Sequence, residues 1–184
     1  MNLVRPTEEH LAGYIDALRR GWSADTQRPA AAVEELVRIE ADPAMFLAEQ
    51  SDPDGLGPPV MLPDGSTVPR LPSYRRWMWD GEFCGSISLR WQPGTTELPP
   101  HCLGHIGYSV VPWKQRRGYA TRALGLILPL ARDRGLPFVE VTTDLDNLPS
   151  QRVILQNGGQ LFERFEKPAV HGSAPALRFR IQLS

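Results

Sequence analysis

A change of period at one junction constrains this chain more than any other feature. Residues 106–111 read Ile106, Gly107, Tyr108, Ser109, Val110, Val111, an apolar run rich in β-branched and aromatic residues that Pro112 stops, as expected of a strand. After Gln115, Arg116, Arg117 and Gly118 the pattern becomes helical: Ala120, Leu124, Ile127, Leu128 and Ala131 share one face. A strand that turns sharply into a helix leaves the first helical N–H groups unpaired, and the macrodipole adds partial positive charge there. Phosphate oxygens are the natural partner of such a turn. Gly118 and Ala120 let a ligand approach the backbone closely, while Lys114, Arg116 and Arg117 are expected as mobile cations at the rim. The turn reads as a cradle for a diphosphate.

Gln115, Gly118 and Ala120 match a Q/R-x-x-G-x-G/A signature, and their setting resembles the GNAT superfamily of acyl-CoA-dependent N-acyltransferases. A second strand-like run, 138–143, follows the helix. Asp146, Asn147, Leu148, Pro149 and Ser150 then open another helix that closes at Asn157, Gly158 and Gly159, in a form similar to the ribosomal-protein-acetylating branch. The resemblance implies an α/β (α+β) fold: a mixed, mostly antiparallel twisted sheet with helices on both faces and a splayed parallel strand pair. It also implies acetyl-CoA as acyl donor and no metal. The pantetheine arm would lie in the splay against the backbone of Val110 and Val111. The pyrophosphate would take the N–H groups of Gln115, Arg116, Arg117, Gly118, Tyr119 and Ala120, with Thr121 adjacent. Asn147 and Ser150 resemble positions that touch the pantetheine arm or the sulfur end, and Asn147 also reads as a plain helix N-cap.

The reaction so implied is transfer of acetyl to a primary amine, of a small molecule or a protein N-terminus, by direct attack through a tetrahedral intermediate. A lysine-like amine has a reference pKa of about 10.4 and must lose a proton first. His105, on the strand that feeds the turn, is the first candidate base; Glu82, Glu140, Asp144 and Asp146 are alternatives, and His105 also reads as a core histidine. A strand N–H near Val110 would meet the oxyanion. One departure stands out. Many members place a tyrosine seven residues after the Asn of the fourth helix to protonate the leaving thiolate, and here that position is Ile154. Ser150 with a bound water, or unaided departure of the thiolate, would have to serve; a CoA-binding sensor of the same fold is the competing reading.

Composition limits the alternatives. The 184 residues suffice for one domain, 1–184, burying about 70% of its unfolded surface. Twenty Lys and Arg against 21 Asp and Glu leave a net charge of -1, which argues against a nucleic-acid partner. Cys84 and Cys102 make neither a disulfide framework nor a metal-ligand spacing, and read as reduced thiols of a cytoplasmic protein. No apolar secretory core or membrane-length run is present, so no membrane partner is expected.

Along the chain, residues 3–5 read as a short strand, and Thr7 as the N-cap of a helix with Leu11, Tyr14, Ile15 and Leu18 on its apolar face. Pro29 lies near the start of a second helix, to which Val33, Leu36, Val37, Ile39, Met45, Phe46 and Leu47 give a broad apolar face, with Pro43 kinking or splitting it. Residues 51–73 are rich in Pro, Gly and Asp without periodicity, a loop insertion that is either a flexible excursion or a wall over the acceptor site. A hairpin turning at Asp80 and Gly81 carries Trp77 and Trp79 on one face, as core packing or as an acceptor wall. Pro129 should kink the long helix beyond the anion site. The last strand, 176–183, reads as an edge on which a homodimer is possible.

Overall fold

The structure is a computed structural model that describes residues 1–28 and 30–183. Pro29 lies outside the described residues. In chain order the elements are β1 (Asn2–Val4), α1 (Glu8–Arg19), α2 (Ala31–Ala41), α3 (Pro43–Ala48), β2 (Ser51–Asp52), β3 (Val60–Met61), β4 (Thr67–Val68), β5 (Ser73–Trp79), β6 (Phe83–Arg90), β7 (Ile106–Val110), α4 (Tyr119–Asp133), β8 (Phe138–Asp144), α5 (Leu148–Gln156), β9 (Gln160–Glu166) and β10 (Pro175–Gln182).

One sheet runs β1-β5-β6-β7, with β2 also pairing β5; a second runs β8-β10-β9. The ladders within them are antiparallel, and α4 is the crossover between β7 and β8. Alternation along β5 and β6 sends residues to two cores. Met78, Ile87 and Leu89 pack with Leu124 and Ile127 of α4 and with Val139 and Phe179 of the second sheet. Trp77 and Phe83 pack on the other face with Tyr14, Leu18, Ile39 and Phe46 of the first three helices. Helices therefore cover both faces of the sheet. Trp77 is wholly buried and stacked on Tyr14 at 4.4 Å between centroids, so it is core rather than an exposed wall.

Several local expectations change when the chain folds. Strand β10 lies between β8 and β9, so β9 is the edge and the expected edge at 176–183 is an interior strand; the outer position fell to β9 because β10 pairs on both sides, from Ala176 opposite Asp144 and opposite Phe165. Val33 and Val37 are 64% and 60% exposed and Met45 57%, so the apolar face of α2 and α3 is narrower than the sequence suggests. Only the Ala31, Ala32 and Ile39 side of α2 is buried, because one flank of a surface helix is enough to cover the sheet. Asp42 ends α2 and caps α3, its Oδ1 accepting the Met45 N–H at 2.8 Å, with Pro43 at the first position. Thr7 holds the N-cap position of α1, yet its hydroxyl pairs with His10 Nδ1 at 2.6 Å instead of a helical N–H. Helix α4 runs on through Pro129. The insertion is partly ordered by the β3–β4 ribbon, Val60 opposite Val68 and Met61 opposite Thr67.

Candidate active site

Strands β7 and β8 belong to different sheets and are tied together before β7 begins. There the His105 N–H donates to the Glu140 carbonyl at 2.8 Å, and the Thr142 hydroxyl to the Leu103 carbonyl at 2.5 Å. His105 completes the tie with its side chain: Nδ1 accepts the Glu140 N–H at 3.0 Å. Beyond this clasp β7 pairs only with β6, so its other edge faces a gap whose backbone groups are open to an added strand-like ligand.

The turn at the far end of β7 leads directly into α4. Arg116 and Gly118 both have positive φ, 60° and 76°, immediately ahead of α4. A Cβ at residue 118 would meet nothing within 4 Å, so the cradle is open. Arg116 and Arg117 are exposed at its rim. Lys114 is not a mobile rim cation: it is 8% exposed, with Nζ 2.7 Å from Asp80 Oδ1 and 3.0 Å from Glu82 Oε2. The Tyr119 hydroxyl donates to the other Asp80 oxygen. One carboxylate in the β5–β6 turn thus fixes both shoulders of the anion turn. Burial pushes the Asp80 carboxyl up, but hydrogen bonds from Lys114 and Tyr119 outweigh it and hold the group well below the usual carboxylate range. Gln115 Nε2 reaches back to the Val110 carbonyl at 3.3 Å, and the Val111 N–H donates to the Cys84 carbonyl at 3.0 Å. Val111 is buried on the helical face of the sheet.

At the start of α5, Asn147 Oδ1 accepts the Ser150 N–H at 3.1 Å, the N-cap its sequence allows. Ser150 Oγ in turn lies 2.8 Å from the hydroxyl of Tyr108, on β7 across the gap. Burial pushes the Tyr108 phenol up to about 12, against the lowering effect of its hydrogen bond with Ser150. Tyr108 was visible in the sequence only as a strand residue, because its partner is 42 positions away. Ile154, where the family's tyrosine would stand, is wholly buried in the core. Thr121 Oγ1 donates to Gln156 Oε1 at 3.1 Å and so links α4 to α5.

Tyr108, Asn147 and Ser150 line a cavity of ≈ 870 Å³ that runs on to α2, the β3–β4 ribbon and the polar face of β6. The 51–73 insertion thereby forms a wall of that cavity. His105 does not line it: it is 1% exposed, and burial lowers its pKa to about 4. Of the other carboxylates weighed as bases, Asp144 lines the cavity but is 2.7 Å from Lys167 Nζ, and Glu140 is 2.8 Å from Arg180 Nη2. No cluster of three or more His, Cys, Asp or Glu suited to a metal occurs among the described residues.

Two antiparallel sheets tied by a clasp and open beyond it between β7 and β8, with a positive-φ turn at the head of α4, have the architecture of a coenzyme A-dependent acyltransferase. Residues 2–160 match the family model described as acetyltransferase (GNAT) domain, and the chain belongs to that family, whose members transfer acetyl from acetyl-CoA to amines. Solved structures agree in fold. RimL, a ribosomal-protein alpha-N-acetyltransferase in complex with coenzyme A, superimposes with a TM-score of 0.64 at 13% identity, covering 98% of this chain and 93% of its own. MccE, a microcin self-immunity acetyltransferase in complex with acetyl-CoA and AMP, gives 0.57 at 13% identity, covering 98% of this chain and 91% of its own. The aminoglycoside acetyltransferase AAC(6')-Ib in complex with coenzyme A gives 0.56 at 15%, covering 98% and 94%. No curated protein matches by sequence. No helix among the described residues is long and apolar enough to cross a membrane.

Proposed function

We propose that this acetyltransferase acts as a single domain on the primary amine of a small molecule, with Tyr108 and Ser150 supplying the proton that the leaving thiolate needs. The observation that carries the reading is the 2.8 Å contact between the two hydroxyls at the head of the strand gap. The phenol, protonated at neutral pH, can relay a proton through Ser150, and in this reading β7 carries the donor that Ile154 does not provide. The open edge of β7, including Val110, holds the pantetheine arm by backbone hydrogen bonds. The N–H groups from Gln115 to Ala120 hold the pyrophosphate, with Arg116 and Arg117 adding charge. His105 acts in this scheme as the clasp that fixes where the gap begins. The lining carboxylates are ion-paired, so the amine's proton leaves through water in the cavity. Both cysteines are free, which supports a cytoplasmic setting.

The test is thiol release from acetyl-CoA with a panel of primary amines, with acetylated product identified by mass. Release that depends on the amine, and that falls in Tyr108→Phe and Ser150→Ala, supports the reading. Tight acetyl-CoA binding with no release for any amine would favour a sensor instead.

A further inference from the structure

The charges that line the cavity are nearly all answered by one another. Four carboxylates line it, and each has a cation: Asp25 with Arg28 at 3.6 Å, Glu35 with Arg75 at 3.2 Å, Asp144 with Lys167 at 2.7 Å, and Glu49 with Arg38. Of the lining cations, Arg70 stands 3.9 Å from Asp52 and gives its Nε–H to the Pro58 carbonyl at 3.0 Å. Arg90 remains. Its guanidinium has no ion pair and no hydrogen bond among the described residues; only its backbone N–H is used, by the His105 carbonyl at 2.9 Å.

Arg90 is also given room on the floor of the cavity. It ends β6, on the polar face that carries Ser86 and Ser88, and its Nη2 lies 3.1 Å from where a Cβ of residue 107 would stand. Gly107 therefore lets the guanidinium settle over β7 one residue from Tyr108, within the same cavity. A partly buried, unanswered guanidinium beside the reacting end is a fork for a planar or tetrahedral anion. From this surplus charge we infer that the acceptor is a small primary amine bearing a carboxylate or phosphate, which Arg90 receives. The inference rests on the acetyltransfer reading and names its substrate class.

The experiment pairs amines that differ by the anionic group: tryptophan with tryptamine, and phosphoethanolamine with ethanolamine. The acidic member of at least one pair should be preferred in kcat/KM by about 10- to 100-fold, the range of a lost charge-assisted contact. Which pair shows it separates carboxylate from phosphate. Arg90→Ala should abolish that preference through KM while leaving the neutral amines and acetyl-CoA affinity unchanged, and Arg90→Lys should restore part of it. Equal use of both members, or equal losses for both in Arg90→Ala, would overturn the inference. Where no amine releases thiol, calorimetry with phosphoethanolamine and tryptophan on the acetyl-CoA complex decides: heat lost in Arg90→Ala upholds the site, and no heat from either compound overturns it. Failure to bind acetyl-CoA would instead remove the acetyltransfer reading.

Discussion

Replacing His105 by glutamine should flatten the dependence of stability on pH without disturbing the chemistry. The imidazole is buried and neutral, with Nδ1 accepting the Glu140 N–H. Burial lowers its pKa from the ordinary 6.5 to about 4. Because the unfolded chain takes up this proton at higher pH than the folded one, the contribution is complete above pH 6.5 and is lost as pH falls toward 4. A separation of roughly 2.5 pH units corresponds to about 3 kcal/mol. With a urea slope of about 2–3 kcal/mol per molar, the unfolding midpoint should drop by about 1 M more in the native protein than in His105→Gln between those pH values. Glutamine can still accept the Glu140 N–H; His105→Leu cannot, and should lose about 1–3 kcal/mol at pH 7. Urea titrations at half-unit steps of pH measure all three. Parallel loss in the native protein and His105→Gln would refute the reasoning, and a changed pH–rate profile in the glutamine variant would return His105 to the reaction.

Tyr108→Phe should lower kcat by about 100-fold or more with acetyl-CoA affinity retained, since general acid catalysis contributes about 100- to 10,000-fold; steady-state kinetics and calorimetry separate the two. Asp80→Asn should weaken acetyl-CoA binding by roughly tenfold by releasing Lys114 and Tyr119 from the shoulders of the turn, read by calorimetry at constant ionic strength. Trp77→Ala should destabilise the fold by about 3–5 kcal/mol in urea unfolding, because the indole fills the core against Tyr14.

The strand–turn–helix of β7 and α4 is legible in the sequence because its determinants are local: a strand run, Gly118 at the turn and a helical apolar face lie within about 25 residues. What it conceals is set by distance along the chain. Lys114 reads as a rim cation until Asp80, 34 residues earlier, is seen to hold it. Ser150 reads as a lone hydroxyl until β7 brings Tyr108 beside it. The position of β10 inside its sheet follows from pairing on both sides, and strand alternation alone does not distinguish an interior strand from an edge. Arg90 looks like any outward strand arginine; its isolation emerges only after the neighbouring charges have found partners.

The central claim is that the amides of the turn at Gln115 to Ala120 receive the diphosphate of acetyl-CoA. Calorimetric titration of acetyl-CoA into the native protein, Gly118→Ala and Gly118→Glu tests it most directly. Either side chain must adopt the positive φ, at about 1–2 kcal/mol, so alanine controls for strain. The native protein and Gly118→Ala should bind, while Gly118→Glu, folded by circular dichroism, should show no heat because its carboxylate meets the phosphates. Undiminished binding by Gly118→Glu would contradict the account.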